Sequence, residues 1–146
     1  MTITRNEPLT RIDGRNLYYT FIAGGNKVIA SQAELNRINI FPVNDGDTGT
    51  NLASTISSVI EAIKPDRSYK ITAERIAEAA LTGARGNSGI IFAQFLYGLS
   101  NDASLENSVT LKEFAESVKR AVIYVYEAVK HPVEGTMLTV IKEWAE

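Results

Sequence analysis

Asp45 and Asp47, separated only by Gly46, are the residues whose types and spacing most directly predict chemistry. Two carboxylates this close repel each other when both are ionised, unless a cation lies between them. Oxygen ligands in the absence of His or Cys favour Mg²⁺, Mn²⁺ or Ca²⁺ over zinc. We therefore predict a divalent-cation site, to which Asn39 adds a carbonyl oxygen. The alternative is a solvated turn, since Asn, Asp and Gly are ordinary turn residues.

Three polar loops that contain glycine each lead into a predicted helix. They span residues 39–51, 83–89 and 131–138. The N-terminus of a helix offers unpaired N–H groups and a partial positive charge, which suits phosphate. If the three loops converge at one end of a helical bundle, they form an anion pocket.

Two better-known ion and phosphate loops do not fit this sequence. An EF-hand loop that begins at Asp45 requires Glu at its twelfth position, where the chain has Ile56. A Walker A loop ends in Gly-Lys followed by Ser or Thr, whereas residues 83–89 are one residue too long and contain no lysine. Phosphate binding at these loops therefore requires another architecture.

Hydrophobic spacing predicts that helices position these loops, and the strand signals are weak. Asp13 is predicted to cap a helix that runs to about Ile38 and is interrupted at Gly24-Gly25, either by a kink or at a close crossing with another helix. Further helices are predicted over residues 49–63, from a cap at Thr72 to residue 82, over 89–99, from a Thr110–Glu113 capping box to about 129, and from about 136 onward. We predict an all-α antiparallel bundle over residues 12–146, after a flexible lead over residues 1–11.

The composition excludes several classes of protein. The chain has 146 residues, with 15 Lys+Arg against 17 Asp+Glu, no cysteine and 45% hydrophobic residues. Without cysteine there is no disulfide and no Cys-ligated metal centre. A net charge of −2 argues against nucleic-acid binding, because phosphate neutralisation needs clustered Lys and Arg. With no transmembrane-length apolar run and no signal-peptide pattern in residues 1–11, we expect a cytoplasmic domain with one core.

Four segments together resemble a known family of ATP-binding domains. They are Ile12 to Gly14, Leu35 to Asn51, Gly83 to Gly89 and Pro132 to Val140, in the expected order along the chain. The sequence resembles the domain shared by dihydroxyacetone kinase nucleotide subunits and the bacterial fatty acid kinase ATP-binding subunit. The long first loop together with Gly83 to Gly89 is more similar to the fatty acid kinase branch.

The resemblance implies an antiparallel barrel of about eight helices that holds ATP or ADP with two Mg²⁺ ions at one end. It implies that Asn39, Asp45 and Asp47 hold the metals, with the two aspartates catalytic as ligands rather than as general bases. The residues implied to contact the nucleotide are Thr48, Gly49 and Asn51 after the aspartate pair, Asn87, Ser88 and Gly89 in the second loop, and Thr136 and Met137 in the third.

The implied reaction is transfer of the γ-phosphoryl group of ATP to a fatty acid carboxylate on a separate acyl-binding protein. Two alternatives stay open: a dihydroxyacetone-type kinase subunit and a non-catalytic helical interaction domain. A homodimer also stays open. The sequence departs from the family at Asn44, where Pro is usual, and the family's domain continues beyond Val140. We therefore expect a truncated domain that works with the remaining domains of a parent chain, and the activity of this fragment alone is in doubt.

Overall fold

The computed structural model describes residues 8–101 and 103–146, in which helices account for most of the chain. The elements, in chain order, are β1 (Arg11–Asp13), α1 (Gly14–Ala30), α2 (Gln32–Ile38), α3 (Thr48–Ala62), α4 (Tyr69–Gly83), α5 (Gly86–Asn101), β2 (Ser108–Thr110), α6 (Leu111–Ala128) and α7 (Met137–Ala145). The predicted helical architecture is confirmed, with seven helices in the described residues. None of these helices combines the length and the apolar character that crossing a bilayer requires.

Helix α1 begins where the sequence predicts and ends earlier. Asp13 caps it, because the Asp13 carboxylate accepts from the Asn16 N–H at 2.8 Å and the Asn16 side chain accepts in return at 3.0 Å. Helix α1 continues through Gly24-Gly25, and the interruption lies at Ser31, between α1 and α2. The second interpretation of these glycines is confirmed, because Gly25 is buried at a close crossing with α3, where an added Cβ would lie 2.7 Å from Ile56 Cγ2.

The two strands form a short antiparallel pair that the weak strand signals do not predict. Arg11 lies opposite Thr110, and the Arg11 guanidinium donates to the Ser108 hydroxyl at 2.7 Å and to the Glu106 carboxylate at 3.0 Å. Arg11 therefore belongs to the fold and not to the predicted flexible lead. Residues 1–7 of that lead lie outside the described residues.

Two predicted helix starts need correction, and one is confirmed. Ser68 rather than Thr72 caps α4, and its hydroxyl accepts from the Ile71 N–H at 3.2 Å. Helix α5 begins at Gly86, so the second predicted loop already contains its first turn. The capping box of Thr110 and Glu113 at the start of α6 is present. Donation by the Thr110 N–H and hydroxyl lowers the pKa of Glu113.

Helix α5 is the central helix, since it packs against α3, α4, α6 and α7. The main core draws side chains from all five, among them Val59, Ile76, Ala80, Ala93, Phe95, Leu99, Val118, Val125 and Leu138. At one end of the bundle, the Gly14 N–H donates to the Arg67 carbonyl and the Tyr69 N–H to the Asn107 carbonyl. These bonds tie the starts of α1 and α4 to the strand pair, and the polar loops lie at the opposite end.

The strand end also contains a cavity of about 180 Å³, lined in part by Tyr69, Phe114 and Ser117. The hydroxyls of Tyr69 and Ser117 are buried and have no hydrogen-bond partner in the described part of the chain. Burial raises the pKa of Tyr69 to about 12. None of the residues predicted to do chemistry lines this cavity.

Replacement of the two adjacent glycines of α1 by alanine is expected to have opposite effects. At Gly24 an added Cβ meets nothing within 4 Å, so Gly24→Ala should raise the free energy of unfolding by about 0.5–1 kcal/mol through helix propensity. At Gly25 the added Cβ meets Ile56, so Gly25→Ala should lower it by about 1–3 kcal/mol through overpacking. Urea denaturation of both variants measures the difference; equal stabilities would contradict the close crossing.

Tyr69→Phe is expected to change how stability depends on pH. The folded pKa of about 12 lies above the ordinary value of 10, because losing the Tyr69 proton is harder in the folded state. The free energy of unfolding is therefore at its full value below pH 10 and falls as the pH rises towards 12. The variant should show a flatter decline between these values. At pH 7 its stability should be unchanged or about 1 kcal/mol higher, since an unpartnered buried hydroxyl is costly. Denaturation at several pH values, with exposed Tyr19→Phe as the control, tests both points; a large loss at pH 7 would contradict them.

Candidate functional site

The loop between α2 and α3 is held together by the side chain of Asn39. Its amide oxygen accepts from the backbone N–H groups of Asp47 and Thr48, both at 3.1 Å. Its amide nitrogen donates to the Val43 carbonyl at 3.4 Å. Asn39 thus supplies the capping acceptor at the start of α3, where the N-cap residue Asp47 makes no side-chain capping bond.

Two polar side chains of α2 make three further hydrogen bonds to the first turn of α3. The Asn36 side chain accepts from the Thr50 N–H at 3.0 Å and donates to the Thr50 hydroxyl at 2.9 Å. The Gln32 side chain donates to the same hydroxyl at 3.1 Å. An added Cβ on Gly49 would lie 2.2 Å from the Gln32 carbonyl, so only glycine allows this approach. The sequence analysis did not predict roles for Gln32 and Asn36. The only indication in the sequence is that two amide side chains lie four residues apart, on one face of a helix.

The carboxylates of Asp45 and Asp47 are both exposed. Among the described residues, neither takes part in a hydrogen bond or an ion pair, and no group of three or more His, Cys, Asp or Glu forms around them. Such a donor set fits Mg²⁺, which is usually bound by one or two carboxylates together with substrate phosphates and water. It does not form a cage of protein ligands alone.

The start of α5 packs directly against the start of α3. The Ser88 hydroxyl donates to the Thr48 carbonyl at 3.5 Å, and the Arg85 N–H donates to the Thr55 hydroxyl at 3.1 Å. An added Cβ on Gly86 would lie 2.2 Å from the Asn51 side-chain nitrogen. The predicted residues of the first and second loops are therefore neighbours.

The two helix ends differ in how many of their N–H groups are free. In α3, the N–H groups of Thr48 and Thr50 are taken by Asn39 and Asn36. In α5, the structure pairs none of the N–H groups of residues 86–88 with an acceptor in the described part of the chain. Because free N–H groups and the helix dipole favour negative charge, α5 offers the better end for an anion.

The third loop lies beside the first loop, with Gly135 close to the ring of Phe41. An added Cβ on Gly135 would lie 3.7 Å from Phe41 Cε1. Thr136 caps α7, since its hydroxyl accepts from the Leu138 N–H at 3.3 Å and donates to the Val133 carbonyl at 2.6 Å. Thr136 and the half-buried Met137 are thus held beside the first loop.

Each of the three loops contains one glycine with a positive φ: +64° at Gly46, +62° at Gly86 and +80° at Gly135. In the described residues, no other residue type adopts a positive φ. Since L-residues with side chains rarely adopt this conformation, the turns depend on these glycines. The contacts of Ser88 with Thr48 and of Gly135 with Phe41 show that the three loops converge on one end of the bundle. The ligand roles predicted for their residues stay predictions.

Comparison with known proteins gives the family of this fold and loop arrangement. The DAK2 domain profile matches residues 42–146, and the chain therefore belongs to the DAK2 domain family. DAK2 domains are the nucleotide-binding part of dihydroxyacetone kinase-like proteins. Members of the family bind ADP or ATP with Mg²⁺.

The relatives are bacterial proteins much longer than this chain. The chain is 38% identical to an uncharacterized protein of Staphylococcus saprophyticus over 94% of its length, and 36% identical to protein YloV of Bacillus subtilis over 92%. It spans about a quarter (25%) of each of these relatives. The chain thus matches one portion of each of these larger proteins.

Asn39→Ala is expected to lower the free energy of unfolding by about 1–2 kcal/mol, because two N–H groups at the start of α3 lose their acceptor. Asn39→Asp keeps an acceptor oxygen and should recover most of this loss. Exposed Asn44, in the same loop, is the matched control, and Asn44→Ala should change little. Chemical denaturation without added nucleotide measures all three; equal stability of the two alanine variants would contradict the capping role.

Proposed function

We propose that this chain is the nucleotide-binding part of a kinase that transfers the γ-phosphoryl group of Mg–ATP to a fatty acid carboxylate. In this proposal a separate acyl-binding protein presents the acceptor. The observation that carries the proposal is the packing of the start of α5, where the N–H groups of residues 86–88 are free, against the start of α3, which directly follows the two unpaired carboxylates of Asp45 and Asp47. Cation ligands and anion donors side by side suit a metal-bound polyphosphate.

The carboxylates of Asp45 and Asp47 would hold the two Mg²⁺ ions. Because the Asn39 oxygen already accepts two N–H bonds, we assign Asn39 to holding the loop and leave ligation to the aspartates. When bound, Mg²⁺ offsets the charge of the phosphate oxygens and orients them. This matters here because the chain itself carries a net charge of −2 and would otherwise repel a polyphosphate.

The start of α5 would bind the phosphates through the N–H groups of Gly86, Asn87 and Ser88. Gly49 and Gly89 allow the close approach of α3 to Gln32 and of α5 to Thr55 that forms this end, while Thr48 and Asn51 bring a hydroxyl and an amide from α3. On the other side, Thr136 and Met137 would line the nucleotide. These groups position the phosphates and stabilise charge, which are the main tasks in phosphoryl transfer.

The proposed acceptor needs no general base from this chain. A carboxylate has an ordinary pKa near 4.3 and is already ionised at neutral pH, so its oxygen can attack without losing a proton. Asp45 and Asp47 can therefore act as metal ligands alone. An alcohol acceptor, as in a dihydroxyacetone-type kinase, would require a proton acceptor as well.

Membership of the DAK2 family supports both kinds of kinase subunit, because the nucleotide-binding part is common to them. The resemblance of residues 39–51 and 83–89 to the fatty acid kinase branch favours the fatty acid carboxylate. The length of the relatives, four times that of the matched segment, supports the view that further domains of a parent chain take part.

Asp45→Asn together with Asp47→Asn is expected to weaken Mg-dependent ATP binding by at least about a hundredfold, or about 2.7 kcal/mol, because both ionised metal ligands are lost. Isothermal titration with ATP, in Mg²⁺ and in EDTA, measures the effect. Exposed Glu61, near the opposite end of α3, provides the control Glu61→Gln, which should bind normally. Equally tight ATP binding in EDTA would contradict the proposed site.

A phosphorylation assay separates the possible acceptors. The chain, or the longer protein that contains it, is incubated with Mg–ATP and either a fatty acid-loaded acyl-binding protein or dihydroxyacetone with its binding protein. Acyl phosphate formation with the first acceptor supports the proposal, and dihydroxyacetone phosphate with the second contradicts it. Mg–ATP binding without turnover by the longer protein would favour a non-catalytic interaction domain.

A further inference from the structure

Glu134, in the third loop, has no role in the proposed chemistry, yet its carboxylate contacts three side chains. One oxygen accepts from the Tyr126 hydroxyl at 2.9 Å. The other accepts from the Thr139 hydroxyl at 2.6 Å and from the Lys142 ammonium at 3.0 Å. These contacts connect the loop to the end of α6 and to the first turns of α7. Donation by Thr139, Lys142 and Tyr126 lowers the pKa of Glu134 to about 2.

The hydroxyl of Thr139 links the Glu134 carboxylate to the backbone by hydrogen bonds. Its hydroxyl donates to Glu134 and accepts from the Gly135 N–H at 2.8 Å. A hydroxyl has a single proton, so donation to the carboxylate directs a lone pair towards the N–H group. Glu134 therefore orients the Gly135 peptide, where φ is +80° and the chain turns into the α7 cap at Thr136.

Lys142 closes the network by lying 5.8 Å from the centre of the Tyr126 ring as well as bonding to Glu134. A single exposed ion pair contributes little. Here one carboxylate instead joins a cation, two hydroxyls and, through one of them, a backbone N–H, and such connected contacts restrict a loop more than an isolated pair does.

We propose that Glu134 is a positioning residue for the nucleotide site. It holds the third loop in the shape that keeps Gly135 against Phe41 and places Thr136 and Met137 beside the nucleotide. This inference rests on the proposed function, because it assigns a role to the loop only if nucleotide binds there. Small displacements of a positioning group are known to reduce binding and rate strongly, which is the effect expected here.

The test compares three variants of the whole chain. Glu134→Ala removes every contact, Glu134→Gln keeps a neutral acceptor for Tyr126 and Thr139, and Glu143→Ala removes an exposed carboxylate of α7 that has no partner in the described residues. Isothermal titration gives the affinity for Mg–ATP. Amide exchange at Gly135, followed by NMR without nucleotide, reports the shape of the loop.

Glu134→Ala is expected to weaken Mg–ATP binding about tenfold and to speed Gly135 exchange by a similar factor. Glu134→Gln should restore most of both, with a loss of about threefold, because charge-assisted bonds become neutral ones. Glu143→Ala should match the wild type. In the wild type, the contribution of Glu134 to holding the loop should be constant from about pH 5 to 8, because the pKa of Glu134 of about 2 keeps its carboxylate ionised throughout this range. The contacts of Glu134 are lost only as the pH falls towards that value.

Several results would overturn the inference. Normal affinity in Glu134→Ala would do so, whether or not Gly135 exchange changes. Weaker affinity with unchanged exchange would show that Glu134 acts by another route. An equal loss in Glu143→Ala would show a general effect of charge. No Mg–ATP binding by the wild type would remove the proposed function and this inference together, whereas normal wild-type binding with unaffected Glu134→Ala removes only the latter.

Discussion

The site end of the molecule depends on one amide oxygen that accepts two backbone N–H bonds. An aspartate at a helix N-cap ordinarily uses its own carboxylate to satisfy the first turn. In α3 the side chain of Asn39, eight residues before Asp47, does this instead. The carboxylate of Asp47 therefore keeps its lone pairs, and Asp45 in the same loop is equally uncommitted. The loop is stabilised without consuming the groups that are chemically useful.

The N-termini of α3 and α5, which are neighbours, favour ligands of opposite charge. At the start of α3, Asn36 and Asn39 occupy the N–H groups and the aspartates add negative charge, so this end favours cations. At the start of α5 the N–H groups of residues 86–88 stay free, so that end favours anions. Close packing of Gly86 against Asn51 and of Gly89 against Thr55 brings the two ends together. Membership of a nucleotide-binding family agrees with this pairing of opposite preferences.

Features that depend on local chemistry were predictable from the sequence. Asp13 and the Thr110–Glu113 box cap their helices through contacts three residues away, which a short window of sequence contains. Of the two interpretations of Gly24-Gly25, the close helix crossing is confirmed and the kink is not, because packing of Gly25 against Ile56 outweighs the cost of glycine in a helix. The predicted cap of α4 at Thr72 is wrong because threonine is also a capping residue type, whereas the structure uses Ser68, the more favoured type, and buries Thr72 in the first turn.

The types of the site residues were also predictable, but their connections were not. The aspartate pair and the three glycine-containing loops are visible in the sequence, whereas the contacts of Gln32 and Asn36 with Thr50 span 18 and 14 residues. The network around Glu134 was missed for a different reason. Its members lie close in sequence, yet each is an ordinary surface residue until the loop and two helices bring them together.

The three glycines with positive φ lie in the same region as the candidate site, and they are the residue type whose backbone loses the most conformational entropy on folding. Glycine loses more conformational freedom on folding than any other residue, so each of these turns returns the most entropy when it opens. The buried core around α5 does not include these three glycines, so the turns can open locally while the core stays packed. If the proposed nucleotide binds at this end, it contacts the turns whose opening returns the most backbone entropy, and its binding would therefore hold them closed.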